Sequence, residues 1–314
     1  MKRVAFMFPG QGSQAVGMGQ GFFDTYPEVQ NLYKKANKAL DNDITNLMLN
    51  GPKEALTETE NAQPALLLMS SSISTLLIQR GIKPVTVVGH SLGEYSALVT
   101  AGAITLEEAL PLVALRGKLM EEAFPEGKGS MAAVLGLSQQ EIEAALQGLA
   151  KDEIVDIANL NCPGQVVISG TKEGLGLAEP LLKEAGARRV ILLNVSGPFH
   201  SRLMKPANEK FATKLNEITI NDANIPVFAN VTASAVTEEM KIKDLLIKQL
   251  YSPVRFEESI RNIIADGIDA FVEVGNGKVL SGLVKKIDRK IPAFSVEDPE
   301  SMEKFITWYM EEGS

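Results

Sequence analysis

Short apolar runs alternate with amphipathic stretches along this chain. Val4–Phe8 is apolar throughout and stops at Pro9-Gly10, which reads as a buried first strand. Residues 27–49 carry apolar positions at helical spacing with polar positions between them, and predict one helix. Residues 65–79 predict a longer, largely apolar helix. The β-branched run Val85-Thr86-Val87-Val88 predicts a strand, and residues 94–99 a helix straight after it. Thr105, with Glu108 three places on, marks the capped start of another helix, with Pro111 expected to kink it.

The rhythm changes over residues 129–196. Strands are predicted at 131–137, 154–161, 165–169 and 189–194, and helices at 138–150 and 175–185. That order, β-α-β-β-α-β, is a ferredoxin-like unit. Beyond it come a helix at 202–218, a strand at 227–230, helices at 242–250 and 257–266, and a strand at 270–274. "GNGKVLSGL" then reads as a glycine-rich turn. The expected fold is α/β: a large domain with a mostly parallel sheet, formed by residues 1–128 and 197–314, and a small subdomain at 129–196 inserted into it.

"VVGHSLGEYSAL" (87–98) places Ser91 in the pattern Gly89-His90-Ser91-Leu92-Gly93. With a strand before and a helix after, G-x-S-x-G is a nucleophile elbow of the α/β-hydrolase kind. Serine needs a base, and the chain has only two histidines. Neighbouring side chains diverge in so sharp a turn, so His90 is read as a packed structural imidazole. His200, in "NVSGPFHS", is the candidate base. Asp152, Glu153 and Asp156 lie between Ser91 and His200, but inside the small unit, and none is an obvious third member. A backbone carbonyl or a side-chain amide is the alternative orienting group.

Arg116 aligns with Leu112 and Met120 on an apolar helical stripe. A buried guanidinium calls for a carboxylate, which either a structural salt bridge or a substrate would supply. "FPGQGSQAVG" (8–17) contains G-x-G-x-x-A, but no second strand ending in an acidic residue follows at dinucleotide-site spacing. Gln11 and Gln14 fit a polar wall offering N–H groups to a ligand oxygen, or a plain turn.

Composition narrows the chemistry. A net charge of −8 argues against a nucleic-acid partner. One cysteine, Cys162, excludes an internal disulfide and any multi-cysteine metal site, and it is read as a small buried residue. No run is apolar and long enough for a membrane span, and no signal peptide is evident, which predicts a cytoplasmic protein.

Read together, "FPGQGSQ", "NAQPAL", "GHSLGEYSAL", Arg116-Gly117, "GSMAAVLG", "NLNCPGQVVISG", "VSGPFHS", "QLYSPVRF" and "GKVLSGLVKK" resemble the malonyl-CoA–acyl carrier protein transacylase family, over nearly the whole chain. The resemblance implies ping-pong transfer of malonyl from malonyl-CoA to the phosphopantetheine thiol of acyl carrier protein, supplying fatty-acid synthesis. It implies Ser91 as nucleophile, His200 as base and Arg116 as the partner of the malonyl carboxylate. Gln11 and the Leu92 N–H would form the oxyanion hole, and the Gln249 carbonyl would orient His200. Phe199 is the residue found there in malonyl-selective members. No metal or bound cofactor is implied, coenzyme A thioester being a substrate, and a monomer is expected. Asn276 departs from the family, which usually has proline there. A lipase-like hydrolase, a non-catalytic carrier-binding module and a polyketide-synthase acyltransferase are the rival readings. Lys285, Lys286, Arg289 and Lys290, or else Arg188 and Arg189, are candidate carrier contacts or merely solvated faces.

Overall fold

The computed structural model describes residues 2–150 and 152–311. Its strands are, in chain order, β1 (Val4–Phe8), β2 (Thr86–Gly89), β3 (Gly129–Leu135), β4 (Val155–Cys162), β5 (Gln165–Thr171), β6 (Arg189–Leu192), β7 (Val227–Ala229), β8 (Ser234–Val236), β9 (Ala270–Val274) and β10 (Ala293–Val296). They form two sheets, so the fold is α/β with both parallel and antiparallel pairing.

The larger sheet runs β10-β9-β1-β2-β7-β8. Its neighbours are parallel except β7 and β8. β1 and β9 are buried along their whole length, as expected for central strands with helices on both faces. The four-stranded sheet runs β4-β5-β3-β6 and is antiparallel. Alternation along β3 decides what each face meets. Ala132 and Val134 pack with Ile142, Leu175 and Leu182 under the two helices Gln139–Leu146 and Lys172–Glu184. Met131 faces the other way, into the core of the larger body. Val254, just before the helix Phe256–Ala265, pairs with β4: its N–H donates to Ala158 O (2.8 Å), and its carbonyl accepts from Leu160 N (2.9 Å).

Several elements differ from the sequence pattern. Residues 27–49 are two helices, Pro27–Leu40 and Ile44–Asn50. Asp41 ends the first in the left-handed region (φ 50°), and the Asp43 side chain caps the second. The long apolar helix begins at Thr59 and runs through Pro64 to Gln79. The glycine-rich reading of 275–283 is half right. Gly275 and Gly277 have positive φ, but Val279–Ile287 is a helix. The Glu273 carboxylate accepts from Leu280 N (3.0 Å) and Ser281 N (2.7 Å) in its first turn. The helix at Leu106–Glu122 is unbroken across Pro111. Thr105 caps it, but the Glu108 carboxylate accepts from the Thr105 hydroxyl (2.6 Å), so the full capping box does not form. Among the described residues no helix is long and apolar enough to cross a membrane.

Candidate active site

The site is built where β1 and β2 end side by side. Their parallel register sets Phe8 against Gly89, and His90 N–H donates to Phe8 O (3.0 Å). The chain then turns into the helix Gly93–Thr100, with Ser91 at φ 51°. A side chain in that region is strained, and such strain persists only where neighbours fix it. The Asn230 side chain does so, accepting from Ser91 N (2.8 Å) and donating to Gly89 O (2.7 Å). The two elbow glycines are required by contact. A Cβ on Gly89 would lie 1.8 Å from Gly93 C, and one on Gly93 would lie 2.0 Å from Phe8 O.

Ser91 Oγ is 2.8 Å from His200 Nε2. His200 is buried, and its Nδ1 faces the Gln249 carbonyl at 2.9 Å. A carbonyl only accepts, so the proton sits on Nδ1 and the Nε2 lone pair faces the serine hydroxyl. Burial, and then the positive charge of Arg116, push the His200 pKa down to about 3, so the ring is neutral at pH 7. His90 lies apart from this pair. Its Nε2 meets Asn161 Oδ1 at 2.8 Å and its ring packs on Phe256.

Arg116 is the largest fully buried side chain, 1% exposed. Its Nη2 donates to Ser91 Oγ (3.0 Å) and Gln249 Oε1 (2.9 Å), its Nη1 to Gln63 Oε1 (2.8 Å). Those partners are neutral oxygens, and among the described residues no carboxylate pairs with it. Among the described residues Nε has no partner, and the guanidinium lies 5.4 Å over the Tyr95 ring. Of the two sources of a carboxylate, the protein does not supply one directly.

The loop at 9–14 closes over the elbow, so tightly that a Cβ on Gly10 would meet His90 O at 2.3 Å. Gln11 Nε2 donates to Thr59 Oγ1 (3.2 Å), and Gly12 N donates to Gln14 Oε1 (2.7 Å). Leu92 is the residue before the first turn of the elbow helix, and its N–H has no acceptor among the described residues. Asn276, the departure from the family pattern, donates from Nδ2 to Ser13 O at 2.5 Å and so ties the loop after β9 to this one.

A cavity of about 560 Å³ opens onto Ser91 and His200. One wall comes from the larger body, with Gln11, Met120 and Leu283; the other comes from the small sheet and its exit, with Met131, Asn161 and Val167. Phe199, buried beside His200, also lines it. The intervening carboxylates stay outside. Asp156 pairs with Arg202, and its carboxylate accepts from Arg202 N at 2.9 Å. Cys162 is buried, and burial raises its thiol pKa, as suits a packed structural cysteine. Sequence reasoning missed Asn230, Gln63, Glu94 and the side chain of Gln249. All are buried amides or acids reached across long sequence separations.

A family model described as "Acyl transferase domain" matches residues 5–296, which makes the chain an acyltransferase. The malonyl CoA-acyl carrier protein transacylase of Bacillus subtilis (strain 168) is 49% identical over 313 residues, covering 99% of each chain. An acyl carrier protein S-malonyltransferase from Vibrio cholerae, solved by crystallography, superimposes with a TM-score of 0.95 at 45% identity, covering 96% of this chain and 99% of that one. A malonyl-transacylase solved with its type II polyketide-synthase acyl carrier protein gives 0.94 at 42% identity, over 96% and 98%. The chain belongs to the malonyl-CoA–acyl carrier protein transacylase family.

Proposed function

We propose how the residues of this site divide the work of transferring malonyl from malonyl-CoA to acyl carrier protein. That transfer is the reaction of the family and of this chain, and it supplies fatty-acid synthesis. Ser91 Oγ attacks the thioester carbonyl while His200 Nε2 takes its proton. The tetrahedral oxyanion is held by N–H groups of Leu92 and Gln11. Coenzyme A leaves, its sulfur taking the proton back from His200. The pantetheine thiol then gives its proton to His200 and attacks the malonyl ester, and Ser91 departs with that proton. Gln249 keeps His200 in the correct tautomer through its carbonyl, which dispenses with a third carboxylate. Phe199 shapes the acyl pocket toward malonyl.

The observation that carries this reading is the guanidinium of Arg116, buried without a carboxylate and 3.0 Å from Ser91 Oγ. A malonyl carboxylate would make paired, charge-assisted bonds to it. It would also offset the Arg116 charge, which after burial is the second cause holding His200 down, and so would raise the basicity of the imidazole when a proton must be taken. A lipase-like hydrolase would share the elbow but has no use for this guanidinium. The test is transfer from malonyl-CoA to holo acyl carrier protein, with hydrolysis followed in the absence of an acceptor thiol. Hydrolysis as fast as transfer would favour the hydrolase.

The finer architecture belongs to the same proposal. Residues 129–196 are read as a ferredoxin-like unit inserted into an α/β-hydrolase-like domain of 1–128 and 197–314. The β4-β5-β3-β6 order supports it. The carrier is read as docking near Lys285, Lys286, Arg289 and Lys290. Lys286 Nζ donates to Gln165 Oε1 (3.1 Å), and Gln165 lines the cavity. A monomer acting in the cytoplasm suits a soluble thioester donor and a soluble carrier thiol.

A further inference from the structure

Glu94 is a buried acid, 3% exposed, that the steps above leave without a task. It sits one turn beyond Ser91. Its Oε2 accepts from Asn230 N (2.9 Å) and from Gln249 Nε2 (2.8 Å). No cation touches it among the described residues, and burial pushes its pKa up to about 7. The far end of the same amide, Gln249 Oε1, accepts from Arg116 Nη2 (2.9 Å). One amide thus spans a carboxyl and a guanidinium. In this orientation both ends are paired. Turned over, its oxygen would face the Ser91 carbonyl, which can only accept, and its NH₂ would face the guanidinium N–H, so both of those bonds would be lost. The acid shares with the Ser91 carbonyl, which accepts from the same Nε2 at 3.1 Å, the choice of which way Gln249 points, and Gln249 is one of the anchors of Arg116.

We propose that Glu94 is a positioning residue for acyl selectivity: through the Gln249 side chain it holds Arg116 beside Ser91, and so sets the preference for an acyl group that carries a carboxylate. The inference rests on the reading of Arg116 as the carboxylate partner. It separates binding from chemistry. The Gln249 carbonyl, at the end of the helix Glu239–Gln249, keeps hold of His200 whichever way the side chain turns. Loss of Glu94 therefore loosens Arg116, which retains Gln63 and Ser91, and frees Asn230 N, while the Asn230 side chain still spans Ser91 N and Gly89 O and the Ser91–His200 pair keeps its bond.

The test is competition between malonyl-CoA and acetyl-CoA for acyl-enzyme formation, with KM and kcat for malonyl transfer measured alongside. In Glu94→Ala, malonyl KM rises and the malonyl-over-acetyl preference falls roughly tenfold to a hundredfold, the scale of a lost hydrogen bond to a charged group. Acetyl acylation falls less than malonyl acylation does. Glu94→Gln, whose amide oxygen can accept the same two N–H groups, recovers most of the preference. If Glu94→Ala does not fold, Glu94→Asp takes its place, its carboxyl one methylene short of Gln249. A proportional fall for both acyl groups, or an unchanged preference, overturns the inference. Arg116→Ala is measured in parallel. If it destroys the preference while the Glu94 variants do not, only the role of Glu94 fails. If it leaves the preference intact, the reading of Arg116 fails.

Discussion

The Arg116 guanidinium stands 3.0 Å from the Ser91 hydroxyl and, among the described residues, is paired only with neutral oxygens. Its charge is buried but unmet, and the nucleophile is beside it. An acyl chain ending in a carboxylate completes the site; acetyl leaves it incomplete. Arg116→Ala is predicted to lose malonyl acylation and to gain acetyl acylation relative to it. A missing partner for a buried polar group costs roughly 1–3 kcal/mol, more for a charge, so the ratio should move by about tenfold to several hundredfold. Arg116→Lys should recover part, because an ammonium cannot make the planar two-point contact. Acyl-enzyme formation with the two thioesters in competition reads both.

The two histidines are predicted to separate cleanly. His200→Ala should slow acylation by about 10²–10⁴, the range for a positioned general base. His90→Ala removes the bond to Asn161 and the packing on Phe256, so its effect should fall on melting temperature. Single-turnover acylation and thermal unfolding of both variants distinguish the two roles.

Ser91, His200 and Arg116 were legible for local reasons. The elbow is a contiguous pattern, two histidines leave little choice of base, and the i±4 spacing of Arg116 marks an apolar stripe. The network that holds them was not legible. Gln249 reaches Ser91 O, Glu94 and Arg116, and Asn230 reaches both sides of the elbow. A buried amide in a helix or a loop has no periodic signature, and only the folded chain shows what it meets. The same limit applied to the fold. Strands β1 and β9 stood out as apolar runs, whereas the helix Val279–Ile287 was hidden by Gly275, Gly277 and Gly282. The final helix, Pro299–Met310, opens on an Asp298–Ser301 capping box, a local signal of the kind a sequence carries.

Acid should destabilise the protein through His200. Its folded pKa, about 3, lies below the ordinary 6.5, so the unfolded chain binds the proton first as pH falls. Stability is therefore lost from pH 6.5 downward, about tenfold in the folding equilibrium per pH unit for this one proton. Glu94 acts in the opposite sense. Its pKa is raised from 4.5 to about 7, so its contribution improves as pH falls through that window. Denaturant unfolding between pH 7 and 5 should show a shallower acid loss in His200→Ala and a steeper one in Glu94→Gln than in the wild type.

Two glycines should respond in opposite directions. A methyl on Gly93 collides with the Phe8 carbonyl at 2.0 Å, backbone against backbone, and Gly93→Ala should cost about 3 kcal/mol or more or prevent folding. Gly282 lies exposed in the helix Val279–Ile287 with open space around it. There alanine should stabilise by roughly 0.5–1 kcal/mol. Denaturant midpoints of the two variants check this.

The covalent intermediate is the centre of the account, and intact mass after brief mixing with malonyl-CoA tests it most directly. The wild-type protein should gain one malonyl group, mapped by peptide sequencing to Ser91 and released by an acceptor thiol. Ser91→Ala should gain none. A malonyl group mapped to Ser96 or Cys162, or one that persists in Ser91→Ala, would contradict it.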